Sequence, residues 1–265
     1  DKTLRLWDSE GNELKVLEGH SAFIKGVKIL EDGRILSYSM DNTLRLWDKN
    51  GDILKVLEGH IDSVSGAKIL EDGRILSYSY SMFGSNDKTL RLWDKNGDIL
   101  KILEGHSGSV NGVEILDDGR ILSYSSDSTL RLWDSGGNEL KVLEGHSHSV
   151  KGVKILDDGR ILSYSEDKTL RLWDSEGNEL KVLEGHSDFI KGVKILDDGR
   201  ILSYSRDSTL RLWDSESNEL KVLEEEGHSH WIEGAKILDD GRILSYSKDK
   251  TLRLWDSEGN ELKVL

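Results

Sequence analysis

GHSHSVKGVKILDDGRILSYSEDKTLRLWDSEGNELKVLE, residues 145–184, decides how this chain folds. It holds four short runs, GVKIL, GRILSYS, TLRLWD and NELKVLE, rich in the aliphatic and aromatic residues that favour strands. Turn chemistry separates them. Asp158-Gly159, like Asp32-Gly33, predicts a tight hairpin, and Ser-Glu-Gly-Asn places a glycine where a positive φ is needed, as at Gly11. Nothing has helical spacing over a useful length. Short strands joined by such turns predict an antiparallel meander.

The stretch is one copy of a repeat that fills the chain. Trp-Asp recurs at Trp7, Trp47, Trp93, Trp133, Trp173, Trp213 and Trp255, at spacings of 40, 46, 40, 40, 40 and 42. Gly-His precedes each from the second onward, with His20, His60, His106, His146, His186 and His228. Residues 1–17 are identical to residues 249–265, so the array opens and closes on the same half-repeat. A four-stranded sheet of one repeat cannot bury both faces alone, whereas stacked neighbours bury each other.

Composition narrows the function. With no Cys there is no disulfide framework and no Cys-ligated metal. A net charge of -14 argues against a nucleic-acid partner, and no apolar run is long enough for membrane insertion as a helix. The expected setting is cytoplasmic, with no cofactor and no metal.

The Trp-Asp and Gly-His signature at a period of 40 resembles the WD40 family of β-propellers over essentially the whole chain. The resemblance implies an all-β propeller of four-stranded antiparallel blades. We expect one propeller over 1–265: six full blades plus an N-terminal half-blade, residues 1–17, involved in ring closure. A seven-bladed ring with one incomplete blade is favoured, with a closed six-bladed ring as the alternative. Self-association through the incomplete blade is a further expectation.

In the family, a His-Ser-Asp-Trp tetrad ties the outer Trp strand to the inner strands. The matching sets here are His20, Ser37, Asp41 and Trp47; His60, Ser77, Asp87 and Trp93; and His106, Ser123, Asp127 and Trp133. They continue with His146, Ser163, Asp167 and Trp173; His186, Ser203, Asp207 and Trp213; and His228, Ser245, Asp249 and Trp255. Ser, His and Asp also suggest a hydrolase triad. A triad is needed once, in a pocket. A set recurring six times with a Trp reads as structural.

Subtracting the repeat isolates what differs between copies. In the family's strand labels, GVKIL is a, GRILSYS is b, TLRLWD is c and NELKVLE is d. The a–b turns are Glu-Asp-Gly-Arg or Asp-Asp-Gly-Arg throughout, and the c–d turns change slightly. The d–a and b–c loops, the top face in the family, vary strongly. They hold every Phe (Phe23, Phe83, Phe189) and both Met (Met40, Met82). They also hold the one Tyr outside SYS (Tyr80), the one Trp outside Trp-Asp (Trp231) and the extra His148 and His230. Arg206 and Lys248 precede tetrad aspartates, and insertions fall at Tyr80–Asn86 and Glu224–Glu226. Aromatic residues, Met and Arg anchor interfaces.

The expected function is a non-catalytic scaffold or sensor binding a protein or peptide partner on the top face. The candidate residues are Phe23, Met40, Tyr80, Met82, Phe83, His148, Phe189, Arg206, His230 and Trp231, with the Met82-Phe83 insertion projecting. Near-identical repeats also resemble propellers at the sensor ends of NLR-like ATPases, although no GxxxxGK[ST] loop is present. The alternatives are a designed or purely structural repeat and a glycan- or small-ligand-binding propeller. An enzyme built on His148, Asp188 and His230 is disfavoured, because equivalent positions on neighbouring blades are too far apart to ligate one ion.

Overall fold

The computed structural model describes residues 1–80, 86–223 and 227–265. These form a two-stranded sheet, β1 (Leu4–Trp7) and β2 (Glu13–Leu17), and six four-stranded sheets. The first full sheet runs β3 (Ile24–Ile29), β4 (Ile35–Ser39), β5 (Leu44–Trp47) and β6 (Ile53–Leu57), in sequence order. Each later sheet repeats that order. We denote each sheet by its Trp-Asp tryptophan. The expected all-β class and the count of six full sheets plus a half-sheet are both observed.

Registers explain the shared sequence. Along β4 and β5, Ile35 faces Trp47, Leu36 faces Leu46, Ser37 faces Arg45 and Tyr38 faces Leu44. The a–b hairpin closes with Leu30 N–H donating to Arg34 O at 2.8 Å and Gly33 N–H donating to Leu30 O at 2.9 Å. Gly33 takes φ +83°, so this is a three-residue loop ending in a left-handed residue rather than a two-residue turn.

The chain divides into two compact units, Asp1–Asp127 with Arg131–Leu140, and Ser128–Leu130 with Lys141–Leu265. Within the first, Leu30, Leu36, Leu44, Leu46 and Leu57 of the Trp47 sheet pack on Val64, Ala67, Ile75 and Trp93 of the next sheet. Within the second, Leu162, Leu170, Leu172 and Leu183 pack likewise on Ile190, Val193, Ile201 and Trp213. In both clusters the strand-b and strand-c leucines of one sheet meet the a, b and c strands of the next. At about 25 cal/mol per Å² of apolar area, these faces dominate stability.

Polar links cross the a–b and c–d turns of successive sheets. Arg34 Nη1 donates to Lys95 O at 2.7 Å, and Arg200 Nη1 to Ser257 O at 2.8 Å. Lys15 Nζ meets Asp52 Oδ1 at 2.6 Å, and Lys221 Nζ meets Asn260 Oδ1 at 2.6 Å. These turns serve sheet-to-sheet docking, which is a physical reason for their uniformity.

Candidate functional site

The six His-Ser-Asp-Trp sets have one geometry. Trp Nε1–H donates to Ser Oγ at 2.9–3.0 Å in each. Ser Oγ lies 2.8 Å from His Nε2. His Nδ1 lies 2.6–2.8 Å from Asp Oδ2. One assignment satisfies every atom. Indole N–H donates to Ser, Ser O–H donates to Nε2 of a neutral imidazole, and Nδ1–H donates to the carboxylate. The carboxylate also accepts Ser21 N–H and the Thr43 hydroxyl in the Trp47 sheet.

Electrostatics agree with a neutral imidazole. Burial pushes His20, His60 and His228 below their ordinary value, outweighing the aspartate bonded to each. Burial works to raise Asp41, but hydrogen bonds from Thr43, His20 and Ser21 hold its carboxyl at about 2. Both imidazole nitrogens are engaged and the serines are fully buried. Such a set offers no accessible nucleophile and no free base, so it cannot run triad chemistry. Among the described residues, no group of three His, Cys, Asp or Glu could hold a metal ion.

The varying residues meet in pairs. The residue third after Gly-His and the residue at the start of the b–c loop are joined by one backbone bond in each sheet. Met40 N–H donates to Phe23 O at 2.9 Å, Glu166 to Ser149 at 3.0 Å, Arg206 to Phe189 at 3.0 Å and Lys248 to Trp231 at 3.0 Å. In the Trp93 sheet the partner of Ser63 is Tyr80, not Asn86, because the insertion follows Tyr80.

In the first unit, Phe23 is 59% exposed and Met40 44% exposed, while Tyr80 is half-buried. Met82 and Phe83 lie outside the described residues, as does the Glu224–Glu226 insertion. In the second unit, His148 and His230 are exposed, and Phe189, Arg206 and Trp231 are half-buried.

Those last three form a stack. The Arg206 guanidinium carbon lies 5.2 Å from the Phe189 ring centre and 4.7 Å from that of Trp231. Lys248 Nζ lies 4.5 Å from the same indole centre, and the His230 ring meets it edge-on at 5.3 Å. Aromatic faces attract cations, and two cations thereby stand on one indole. A cleft of about 260 Å³ opens beside Phe189 and Arg206, lined also by Lys151, Glu166, Ile190 and Lys191. A larger cleft of about 470 Å³ lies at the a–b turns of the first unit. It is lined mainly by residues common to every copy, such as Leu30 and Leu70, and is the groove that sheet stacking itself creates.

Sequence reading selected Phe189, Arg206, His230 and Trp231 without showing that they stack. It did not select Lys248, although the residue occupies the same offset as Arg206.

The family model for "WD domain, G-beta repeat" (WD40) matches residues 11–48, 51–94, 97–134, 137–174, 177–214 and 218–256. Among solved structures, the chain is similar to the computationally designed Ika8 protein, with 25% identity and a TM-score of 0.75. That match covers 100% of this chain and 81% of the other. It is also similar to the WD40 beta propeller domain of Doa1, with 28% identity and a TM-score of 0.64, covering 94% of this chain and 84% of that one. No curated protein matches it. Six four-stranded sheets and one two-stranded sheet correspond to a seven-bladed propeller with one incomplete blade.

Proposed function

The chain belongs to the WD40 repeat family, and from that premise we propose that it is a protein-interaction scaffold whose d–a and b–c loops receive an acidic peptide segment of a partner. The observation that carries this reading is the Phe189–Arg206–Trp231–Lys248 stack. All four residues occupy positions that differ between copies, on a scaffold that otherwise repeats. Among the described residues the Arg206 Nε is buried without a hydrogen-bond partner, so the guanidinium has donor capacity left for a ligand. By contrast, Arg131, Arg171, Arg211 and Arg253 each pair with a glutamate across their own hairpin. In a chain of net charge -14, a cationic and aromatic cluster is a local reversal of sign. It suits a carboxylate flanked by apolar side chains.

The test is a peptide array probed with the purified chain and with a Phe189→Ala, Arg206→Ala, Trp231→Ala variant. Retention of Asp- and Glu-rich peptides by the parent, weakened by salt and lost in the variant, is expected. The same peptides held equally by both chains would contradict the proposal.

A second reading has one observation in its favour. The near-identity of the copies, with the likeness to the computationally designed Ika8 protein, suits a designed or purely structural repeat. Retention of no peptide by either chain would favour it. A glycan-binding role is less supported, because two cations already stand on the indole a sugar would stack against.

A further inference from the structure

Strand-c arginines are neutralised within their own hairpins. Arg5, Arg131, Arg171, Arg211 and Arg253 each meet the glutamate eight residues on: Glu13, Glu139, Glu179, Glu219 and Glu261. Two copies break this rule. Eight residues after Arg45 stands Ile53, and eight after Arg91 stands Ile99. In the Trp93 sheet two further departures join this one. Ile61 replaces the serine that follows Gly-His in every other copy, and Ile102 replaces a valine. All three changes add exposed aliphatic surface: Ile61 is 66% exposed, Ile99 48% and Ile102 41%.

Register gathers these residues on one face. The d strand Ile99–Leu103 is an edge of its sheet, and along it Ile102 pairs with Arg91 and Ile99 with Trp93. Directly opposite residues share a face, and Arg91 and Trp93, two apart on one strand, share it too. Ile61 is brought in by the d–a loop. Gly59 is exposed, and a Cβ there would lie 2.5 Å from Arg91 Nη1, so the guanidinium rests against that glycine, two residues before Ile61.

The equivalent glycines show what the isoleucine displaces. At Gly105 and Gly185 a Cβ would meet the glutamate Oε2 at 2.9 Å and 3.0 Å, beside the paired arginine. At Gly19 it would meet Arg45 Nη1 at 2.8 Å and Ile53 Cδ1 at 3.2 Å. A methyl group thus stands where a carboxylate oxygen stands elsewhere. Among the described residues Arg91 Nε is buried without a hydrogen-bond partner.

We propose that the strand-d edge of the Trp93 sheet, built on Arg91, Ile61, Ile99 and Ile102, docks a partner segment carrying one Asp or Glu between aliphatic side chains. The lost hairpin glutamate defines the carboxylate, since an incoming one restores to Arg91 what Glu139 gives Arg131. The three isoleucines define its flanks, because aliphatic neighbours remove their exposed surface from water. This surface shares no residue with the Phe189–Arg206–Trp231–Lys248 stack and is a second site, in the first compact unit.

The experiment pans a random peptide library, displayed on phage, against the full chain. It keeps the peptides that the Phe189→Ala, Arg206→Ala, Trp231→Ala variant retains, so the stack is silent. Selected peptides are expected to carry Asp or Glu flanked by Ile, Leu or Val. The test variants restore residues that other copies already hold, so folding is retained. Ile99→Glu recreates the Arg131–Glu139 arrangement, and Ile61→Ser recreates the common serine. Affinity for a selected peptide should fall about tenfold or more in Ile99→Glu and about threefold to tenfold in Ile61→Ser. Exchange of the peptide's acid for its amide should cost about tenfold. Ile53→Glu, which adds the same charge to the Trp47 sheet, should leave affinity unchanged, and the urea midpoint of Ile99→Glu should match or exceed the parent's. The proposal is overturned by absence of enriched peptides, by enriched peptides lacking an acid, or by equal affinity for the Ile99→Glu chain. An equal loss in Ile53→Glu overturns it as well, and so does a dimer of the parent that Ile99→Glu dissolves, which assigns the face to a second copy. None of these readouts involves the Trp231 loops, so failure here leaves the reading of the stack standing.

Discussion

The backbone amide of Lys248 donates to the carbonyl of Trp231 across 3.0 Å, and the same lysine's ammonium lies 4.5 Å from the centre of that residue's indole. The first bond belongs to the repeat, since Phe23–Met40 and Phe189–Arg206 share it. The second recurs in one other copy among the described residues, where the Arg206 guanidinium carbon lies 5.2 Å from the Phe189 ring centre. Two varying positions, distant in sequence, are therefore one surface element, and a change at one alters the setting of the other.

That relationship predicts energetic coupling. In a double-mutant cycle with Trp231→Ala and Lys248→Ala, an interaction of about 0.5–1 kcal/mol is expected, as for exposed cation–aromatic pairs. Urea unfolding of the four chains measures it. Glu233, 3.8 Å from Lys248 Nζ, competes for the same charge, so Glu233→Gln should leave the coupling intact or raise it. Additive single changes would show that the stack carries no energy.

The tetrads predict a larger effect. Ser203 accepts from Trp213 at 3.0 Å and lies 2.8 Å from His186 Nε2. Ser203→Ala leaves a buried indole donor and a buried imidazole nitrogen without partners. The expected loss is about 2–4 kcal/mol in unfolding free energy. Ser187→Ala, at an exposed loop position, should stay within about 0.5 kcal/mol of the parent.

Acid should act on the same bonds in two stages. His20, His60 and His228 are pushed by burial below the ordinary 6.5, so the folded chain holds fewer protons than the unfolded chain just below that pH. Their contribution is complete above 6.5 and declines as pH falls beneath it. For Asp87, burial pushes the carboxyl up, but His60 and Thr89 hold it at about 2, against an ordinary 3.8. Its contribution is present above 3.8 and is lost as pH falls toward 2. A melting temperature flat above neutrality, sloping gently below it and falling steeply at the acid end is expected. Asp87→Asn should flatten the steep stage.

Much of the fold was legible because one period carries it. Trp-Asp spacing locates every c strand, and the a–b Gly marks every hairpin. The stack was not legible, because Phe189 and Trp231 meet through Arg206 rather than through any local pattern. Nor was the meaning of the small c–d changes. Ile53 and Ile99 replace the glutamate that pairs with the strand-c arginine elsewhere, as Glu139 does with Arg131. Arg45 and Arg91 consequently have no glutamate eight residues on to pair with, and Ile53 and Ile99 are 43% and 48% exposed. A hairpin ion pair requires two residues eight apart in sequence, and reading turn by turn passes over such a pair.

One c–d change has a sharper consequence. The turn glycine adopts φ +80° at Gly51 and +73° at Gly177, and Ser217 takes its place at φ +65°. A Cβ at Gly51, Gly97 or Gly177 would lie 2.9 Å from a leucine methyl of the preceding sheet. Ser217 carries that Cβ, is 1% exposed, and its hydroxyl is buried without a hydrogen-bond partner. The left-handed backbone costs a side-chain-bearing residue about 1–2 kcal/mol, and the unsatisfied hydroxyl about 1–3 more. Glycine's extra freedom in the unfolded chain offsets about 0.5–1 kcal/mol of the gain. Ser217→Gly should therefore stabilise the chain by about 1–4 kcal/mol, seen as a higher urea midpoint, and Gly177→Ser should destabilise it by a similar amount. A lower midpoint for Ser217→Gly would mean that the serine is accommodated by contacts stronger than the strain it imposes.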